Sequence, residues 1–206
     1  LQAMDAIELP WMAEALGDIP DEEGRLAVAR TVVHLLWPDQ QALGELAAVC
    51  DGPVLSTLVR ALLLLDYTEV LPLLLELFPE VHADAQAIIA DTALEHPSRE
   101  GLGRIARMAM KSPVDTILAR GFRLTLRADN PRLAKQVDGL VEHGALMEMS
   151  RDTAATALCT WAQLPGRDKL ERLERGARPA RIDLSRKQEE IRVRHVLALG
   201  QLGTSR

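Results

Sequence analysis

The sequence predicts an all-α fold, an α-solenoid of about six antiparallel helical hairpins with a period of about 30 residues. Three observations lead there. Between Tyr67 and Asp129 two consecutive copies of one unit stand side by side: a short apolar helix at 68–78, a turn at 79–82 and a second helix at 83–96, then 98–111, Ser112-Pro113 and 114–127. The first helices of successive units begin near 8, 39, 68, 98, 130 and 167, so the interval holds before lengthening. Ile, Tyr, Phe and Trp are sparse beside Ala, Leu, Glu and Arg, with aromatics at 3%, a balance that favours helix over strand. With 206 residues, 48% of them hydrophobic, the chain can bury a substantial core as a single domain over 1–206.

The elements follow in order. A helix at 8–16 stops at Gly17-Asp18 and Pro20; Asp21 caps the next one, through 36, where Glu22 and Glu23 suit the positive N-terminal end. Trp37-Pro38 closes the first unit. Asp39 opens a helix through about 49, the 51–53 turn puts Pro53 at a helix start, and 54–65 follows. Asp66 and Tyr67 close that unit. After the central pair, Asn130-Pro131 starts a helix to 143, Gly144 ends it, and another at 150–163 stops before Pro165-Gly166. A charged helix at 169–175, a Pro-containing loop at 176–184 and a long helix at 185–202 complete the chain, with a longer charged insertion at about 166–187.

Hairpins of this kind must stack. In 114–127, Val114, Ile117, Leu118 and Gly121 form one apolar stripe while Arg120, Arg123 and Arg127 share the opposite side. Helix 54–65, apolar apart from Ser56, Thr57 and Arg60, is expected to lie deepest. Arg30, Arg60, Asp91 and Arg120 follow at intervals of 30, 31 and 29, which places them in one column of the stack. Asp91 is expected to pair with Arg60 or Arg120, and Glu95 to reach Arg123 or Arg127. Cys50 and Cys159 fall three repeat steps apart, more than about 20 Å at helix spacings of 8–10 Å. A disulfide, which needs Cα atoms within about 7 Å, is not expected between them.

Charge narrows the function classes. Formal net charge is −6; residues 166–194 hold ten Lys/Arg against six Asp/Glu, leaving fourteen basic and twenty-four acidic residues elsewhere. An acidic body argues against general nucleic-acid binding. No apolar run, the longest being 61–65 and its flanks, approaches the about eighteen residues of a membrane span, so a soluble chain is expected. Opening at Leu1 without an initiator Met or signal-like segment fits a mature form or an excised piece of something longer. Two cysteines make neither a metal-spaced pair nor a framework of bridges. Met108/Met110 and Met147/Met149 have the form of soft copper(I) ligand pairs, but gap filling in the core is the plainer reading. The five histidines lack metal spacing, and Trp37 and Trp161, near the ends of second helices, have the form of stacking platforms for a ligand or base, but covering the hairpin end is the plainer reading. No nucleophile elbow, Gly-rich phosphate loop or zinc-protease motif accompanies the Ser, His and Asp residues. No cofactor is expected.

Two stretches carry a resemblance. Val70-Leu71-Pro72-Leu73-Leu74-Leu75-Glu76-Leu77 is similar to the first helix of a HEAT repeat, with its proline among leucines. Ile191-Arg192, then Ala198-Leu199-Gly200-Gln201-Leu202-Gly203, resembles the second, with His195 standing where that pattern has Ala. Armadillo-like repeats fit the remaining period nearly as well. The resemblance implies a curved stack that binds other proteins and no catalytic residues. Leu158 to Trp161, Leu164-Pro165, Gly176 and Arg178-Pro179 resemble a stretch in helical-repeat segments of large bacterial secreted dehydrogenases; this chain has no Cys-x-x-Cys-His and no strand-rich region, so the likeness implies only their spacer.

The expected function is a non-catalytic scaffold or spacer mediating protein–protein or interdomain contacts. Its rival is an enzyme on the same kind of solenoid, of DNA glycosylase or pigment lyase type. The expected contact is Arg175, Arg178 and Arg181, where an acidic partner or another domain of a longer parent chain docks. The plainer alternative is that these arginines offset the acidic body or that their loop covers the last groove.

Overall fold

Side chains decide where the helices begin. Backbone N–H groups donate to Asp21 from Gly24 (2.6 Å), to Asp39 from Ala42 (3.1 Å), to Asp66 from Thr68 (2.9 Å), to Asn130 from Arg132 (3.0 Å) and to Ser150 from Thr153 (3.3 Å). Asp66, expected to close a unit, thus opens the next helix. The computed structural model describes residues 8–37, 39–50, 52–178 and 185–204. Among them lie twelve α-helices, one 3-10 turn at Ala145–Glu148, and no strand. The fold is all-α.

The chain divides into two compact units, Leu1–Gly101 and Leu102–Arg206. The first holds α1 (Glu8–Gly17), α2 (Glu22–Leu36), α3 (Gln40–Val49), α4 (Gly52–Leu62), α5 (Tyr67–Leu77) and α6 (Ala83–Glu95). Its packing follows a rule of alternation: α1 packs on α3 and α3 on α5, while α2 packs on α4 and α4 on α6. Helix α4, expected to lie deepest, is deeply buried through Val54, Leu55, Leu58, Val59, Ala61 and Leu62, but a longer buried run belongs to the second unit. It ends three residues early, because Leu64 and Leu65 bond back to Ala61 and Leu62 and tighten the last turn.

The second unit holds α7 (Leu102–Ala109), α8 (Asp115–Ala128), α9 (Pro131–Glu142), α10 (Arg151–Gln163), α11 (Lys169–Ala177) and α12 (Arg186–Thr204). Here α7 meets α9, α8 packs on α10 and α10 on α12. Helix α7 is shorter than the sequence suggested. Ser98 N–H donates to His96 Nδ1 (3.1 Å), Glu100 N–H donates to Ser98 Oγ (3.1 Å), and Gly101 has φ +71°, so local turns take the bonds a helix would use.

Helix α8 corrects the apolar stripe. Val114 is an extended N-cap residue and exposed, Leu118 is half-buried, and the covered face runs through Ile117, Gly121, Phe122, Leu124 and Thr125. Gly121 sets that face: a Cβ there would come within 2.8 Å of the Met110 backbone nitrogen, so α8 approaches the end of α7 backbone to backbone. The stripe drawn from the sequence ran back through a residue outside the helix.

Helix α10, not singled out in the sequence, carries the longest buried run, nine residues from Thr153 to Trp161. It is surrounded by α8, α9, α11, α12 and the 3-10 turn. Two of its hydroxyls are bonded, Thr156 donating to the Asp152 carbonyl of its own helix (2.9 Å) and Thr153 to that of Asp115 on α8 (3.2 Å). Cys50 and Cys159 are buried thiols, and among the described residues no disulfide forms. No described helix is long and apolar enough to cross a membrane.

Candidate functional site

The expected contact region begins with α11, whose Leu173 and Lys169 turn inward while Arg172, Arg175 and Arg178 are exposed. Lys169 Nζ donates to Asp138 on α9 at 2.6 Å and lies 5.6 Å from the Trp161 ring centroid. Arg175 and Arg178 meet no carboxylate among the described residues; Arg181 lies outside those residues.

Not all of the basic excess is available to a partner. Arg194, only 7% exposed, donates to the carbonyls of Leu146 and of Met149 (3.1 Å), and through Nε to Glu190 (3.3 Å). Glu190 also accepts two hydrogen bonds from Arg151, at 2.7 and 2.6 Å. The Arg151 bonds hold its carboxyl at about 2, against an opposing desolvation, with Arg194 adding to the pull. Arg194 therefore fastens the 3-10 turn to α12. Arg192 is tied to Glu189 on its own helix.

One pairing explains a departure from the repeat pattern. His195, in the slot where an alanine was expected, lies against Gly176 of α11; a Cβ at 176 would sit 2.3 Å from His195 Cδ2. The larger residue on α12 is accommodated by the smallest on α11. For that reason Gly176, expected in a loop, belongs to the packed part of α11. His195 Nδ1 lies 2.8 Å from the Ile191 carbonyl, an acceptor only, so Nδ1 carries the proton.

Beside this contact lies a cavity of about 240 Å³ inside the second unit. Val141, Leu146, Met147, Leu158 and Ile191 supply apolar wall; Trp161, Arg172, Arg194 and His195 supply the polar groups. Trp161 is buried, and its indole Nε1–H finds no acceptor among the described residues. The Arg172 guanidinium sits 5.0 Å from the Trp161 ring centroid. Sequence reasoning placed Trp161 at a hairpin end and missed this space. The signal available was the pair Gly176 and His195, both departures from expectation.

The four residues of the proposed charge column divide between the units. Arg30 on α2, Arg60 on α4 and Asp91 on α6 belong to the first, Arg120 on α8 to the second. Arg60 pairs with Glu22 of α2, and Arg120 Nη1 donates to its own helix at the Thr116 carbonyl (3.0 Å). Met110 is buried against the Thr125 hydroxyl (3.3 Å), as gap filling requires. His96 stacks on Tyr67 at 4.3 Å. Among the described residues no three His, Cys, Asp or Glu side chains cluster to hold a metal.

Charge divides more sharply than the sequence reading allowed. Leu1–Gly101 carries eighteen acidic and four basic residues, net −14; Leu102–Arg206 carries twelve and twenty, net +8. The acidic body is the first unit alone, and the argument it makes against polyanions does not extend to the second. No protein-family model matches the chain, and neither does any curated protein or solved structure.

Proposed function

We propose that this chain is a non-catalytic α-solenoid of HEAT-like or armadillo-like hairpins, serving as a scaffold or spacer for protein–protein or interdomain contacts. The observation that carries the reading is the alternation of packing, in which helices two apart along the chain lie against one another throughout the first unit and along α8, α10 and α12 of the second. Repeated helix pairs stacked in register produce this pattern, whereas a four-helix bundle closes its last helix onto its first. A pigment lyase would need space for a large planar ligand, and the cavity beside Trp161 is small for one.

The contact surface is the exposed arginine edge of α11, Arg175 and Arg178, together with Arg181. The Arg175 and Arg178 guanidiniums have no competing carboxylate among the described residues, and all three arginines belong to a unit with excess positive charge, which suits an acidic protein or domain. The test is capture of a partner by the immobilised chain across a salt series, against a variant carrying Arg175→Ala, Arg178→Ala and Arg181→Ala. The variant is expected to hold its partner more weakly and with less salt sensitivity, with an unchanged helical circular-dichroism signal. Equal capture by both, or collapse of the helical signal, overturns the assignment.

A further inference from the structure

We propose that a second copy of this chain docks on α12, its α2 laid along the apolar stripe that α12 turns away from its own unit. The contact goes beyond the scaffold reading and is separate from the α11 arginine edge. Packing within each unit leaves the place for it. In the first unit α4 lies between α2 and α6, whereas α2 has only α4 from its own row; in the second α10 lies between α8 and α12, whereas α12 has only α10.

Both helices nevertheless carry a second apolar face. α2 buries Ala29, Val32, Val33 and Leu36, yet Val28, Thr31 and Leu35 recur at i, i+3 and i+7 and are exposed, Leu35 by 60%. The Thr31 hydroxyl already donates to the Ala27 carbonyl (3.2 Å), so covering this stripe strands no donor. On α12 the buried side chains are Arg194 and Ala198. Turned away from them are Val193, Val196 and Gly200, at the same i, i+3 and i+7 spacing, with Leu197 alongside. Val196 is 46% exposed, and a Cβ at Gly200 would meet open space. From Val193 to Gly203 the one Lys, Arg, Asp or Glu is the buried Arg194. A helix apolar on opposite sides is built to be covered on both.

Charge selects the occupant. Seven residues before Val193 stands Arg186, followed by Lys187; both are exposed at the N-terminal end of α12, where the helix dipole disfavours a cation, and neither meets a carboxylate among the described residues. Seven residues before Val28 stands Asp21, followed by Glu22 and Glu23 in the first turn of α2. Laid parallel with their stripes in register, the two helices bring these opposite charges side by side. Asp21 caps α2 and Glu22 pairs with Arg60, which leaves Glu23 without a cation among the described residues. In the same register Leu35, the most exposed side chain of one stripe, falls on Gly200, the barest position of the other. Pairing α12 with a second α12 instead sets two units of net +8 against each other, while α2 belongs to a unit of −14. Each copy keeps one α2 and one α12 unused at the growing ends, so the contact is heterologous and adds copies one after another.

The test is sedimentation velocity of the full chain from about 1 μM to about 200 μM, a range suited to a small interface. The weight-average mass of the unaltered chain is expected to rise past that of two copies. Leu35→Asp and Val196→Asp, both at exposed positions, each put into the contact a charge on a stem too short to reach water. Each should weaken self-association about a hundredfold or more, with the helical circular-dichroism signal unchanged. Mixed in equal amounts, these two variants still offer one intact α2 and one intact α12 between them, and should form a dimer and nothing larger. Arg186→Glu with Lys187→Glu, which leaves both stripes whole, should weaken association about tenfold or more. A chain that stays monomeric throughout, a mixture that does not pair, a charge variant that associates undiminished, or an aspartate variant that still dimerises alone, as α12-to-α12 or α2-to-α2 pairing requires, would each overturn the proposal. None of these outcomes bears on capture at the α11 edge.

Discussion

The central helices of the two units, α4 and α10, reach the same degree of burial by different chemistry. α4 fills its surroundings with Val54, Leu55, Leu58, Val59 and Leu62, and Thr57 and Tyr67 carry the buried side-chain hydroxyls among the first unit's described residues. Its stability comes from apolar surface removed from water. α10 buries alanines, threonines and a cysteine, with Trp161 at its end. Small side chains let neighbouring helices come close but cover less area each, and the second unit adds Lys169 and Arg194 as buried charged struts, each paired or bonded to carbonyls. The first unit's core is thus almost wholly apolar, whereas the second adds buried charged struts to its apolar core, so the two should fail in different ways.

The largest expected effect is on the strut. Arg194→Met leaves Glu190 without one of its arginines and takes the guanidinium donors away from the Leu146 and Met149 carbonyls. It should cost about 3–5 kcal/mol in a urea titration, the range for breaking a buried charged contact. Hydrogen exchange should then accelerate first in the 3-10 turn and α10. If the amides of α4 accelerate equally, the two cores form one cooperative body and the comparison fails.

A smaller effect sharpens it. Gly176→Ala forces a methyl into the His195 ring and should destabilise by about 1–3 kcal/mol, as overpacking does. Pairing it with His195→Ala should return most of the loss. A double variant as unstable as the single one would show that helix–helix closeness at this contact is not the cause.

The smallest effect is on pH. Glu190 has a folded value of about 2, below the ordinary glutamate value of about 4.3. Its contribution is therefore complete above the unfolded value and is lost as pH falls from there toward about 2. Glu190→Gln should flatten the fall of the urea midpoint across that window relative to the unaltered chain. Because Arg151 is exposed, the change should be the least of the three, and an unchanged slope would remove Glu190 from the account of how α12 is fastened.

The fold was legible where punctuation is local. Asp21, Asp39 and Asn130-Pro131 name their helix starts by side-chain chemistry alone, and the period of about thirty comes from the first helices beginning near 8, 39, 68, 98 and 130. The start of α7 was not legible, since Ser98 and His96 compete for backbone bonds in a way no periodicity reveals. The 3-10 turn was missed because its support, Arg194, comes from a helix forty-eight residues beyond the Leu146 carbonyl it bonds. The same holds for the cavity. Its wall residues are ordinary in their own helices, and only the packing of α9, α10 and α12 brings Trp161, Ile191 and His195 around one space. Arg175 and Arg178 were legible as exposed charge, whereas Lys169 and Arg194 in the same basic stretch turned inward.

The alternation of helices two apart has a consequence for how the chain reaches this state. Each principal contact closes a loop of only a few tens of residues, so the entropy lost in forming any one of them is modest. Chains whose contacts are this local fold fast for their size. Synthesis delivers the pieces in the order they are needed: α2 is complete before α4 emerges, and α4 before α6. Burial of the leucine-rich surface of α4 can thus begin while the basic half is still being made, which shortens the time that surface stands open to other unfolded chains.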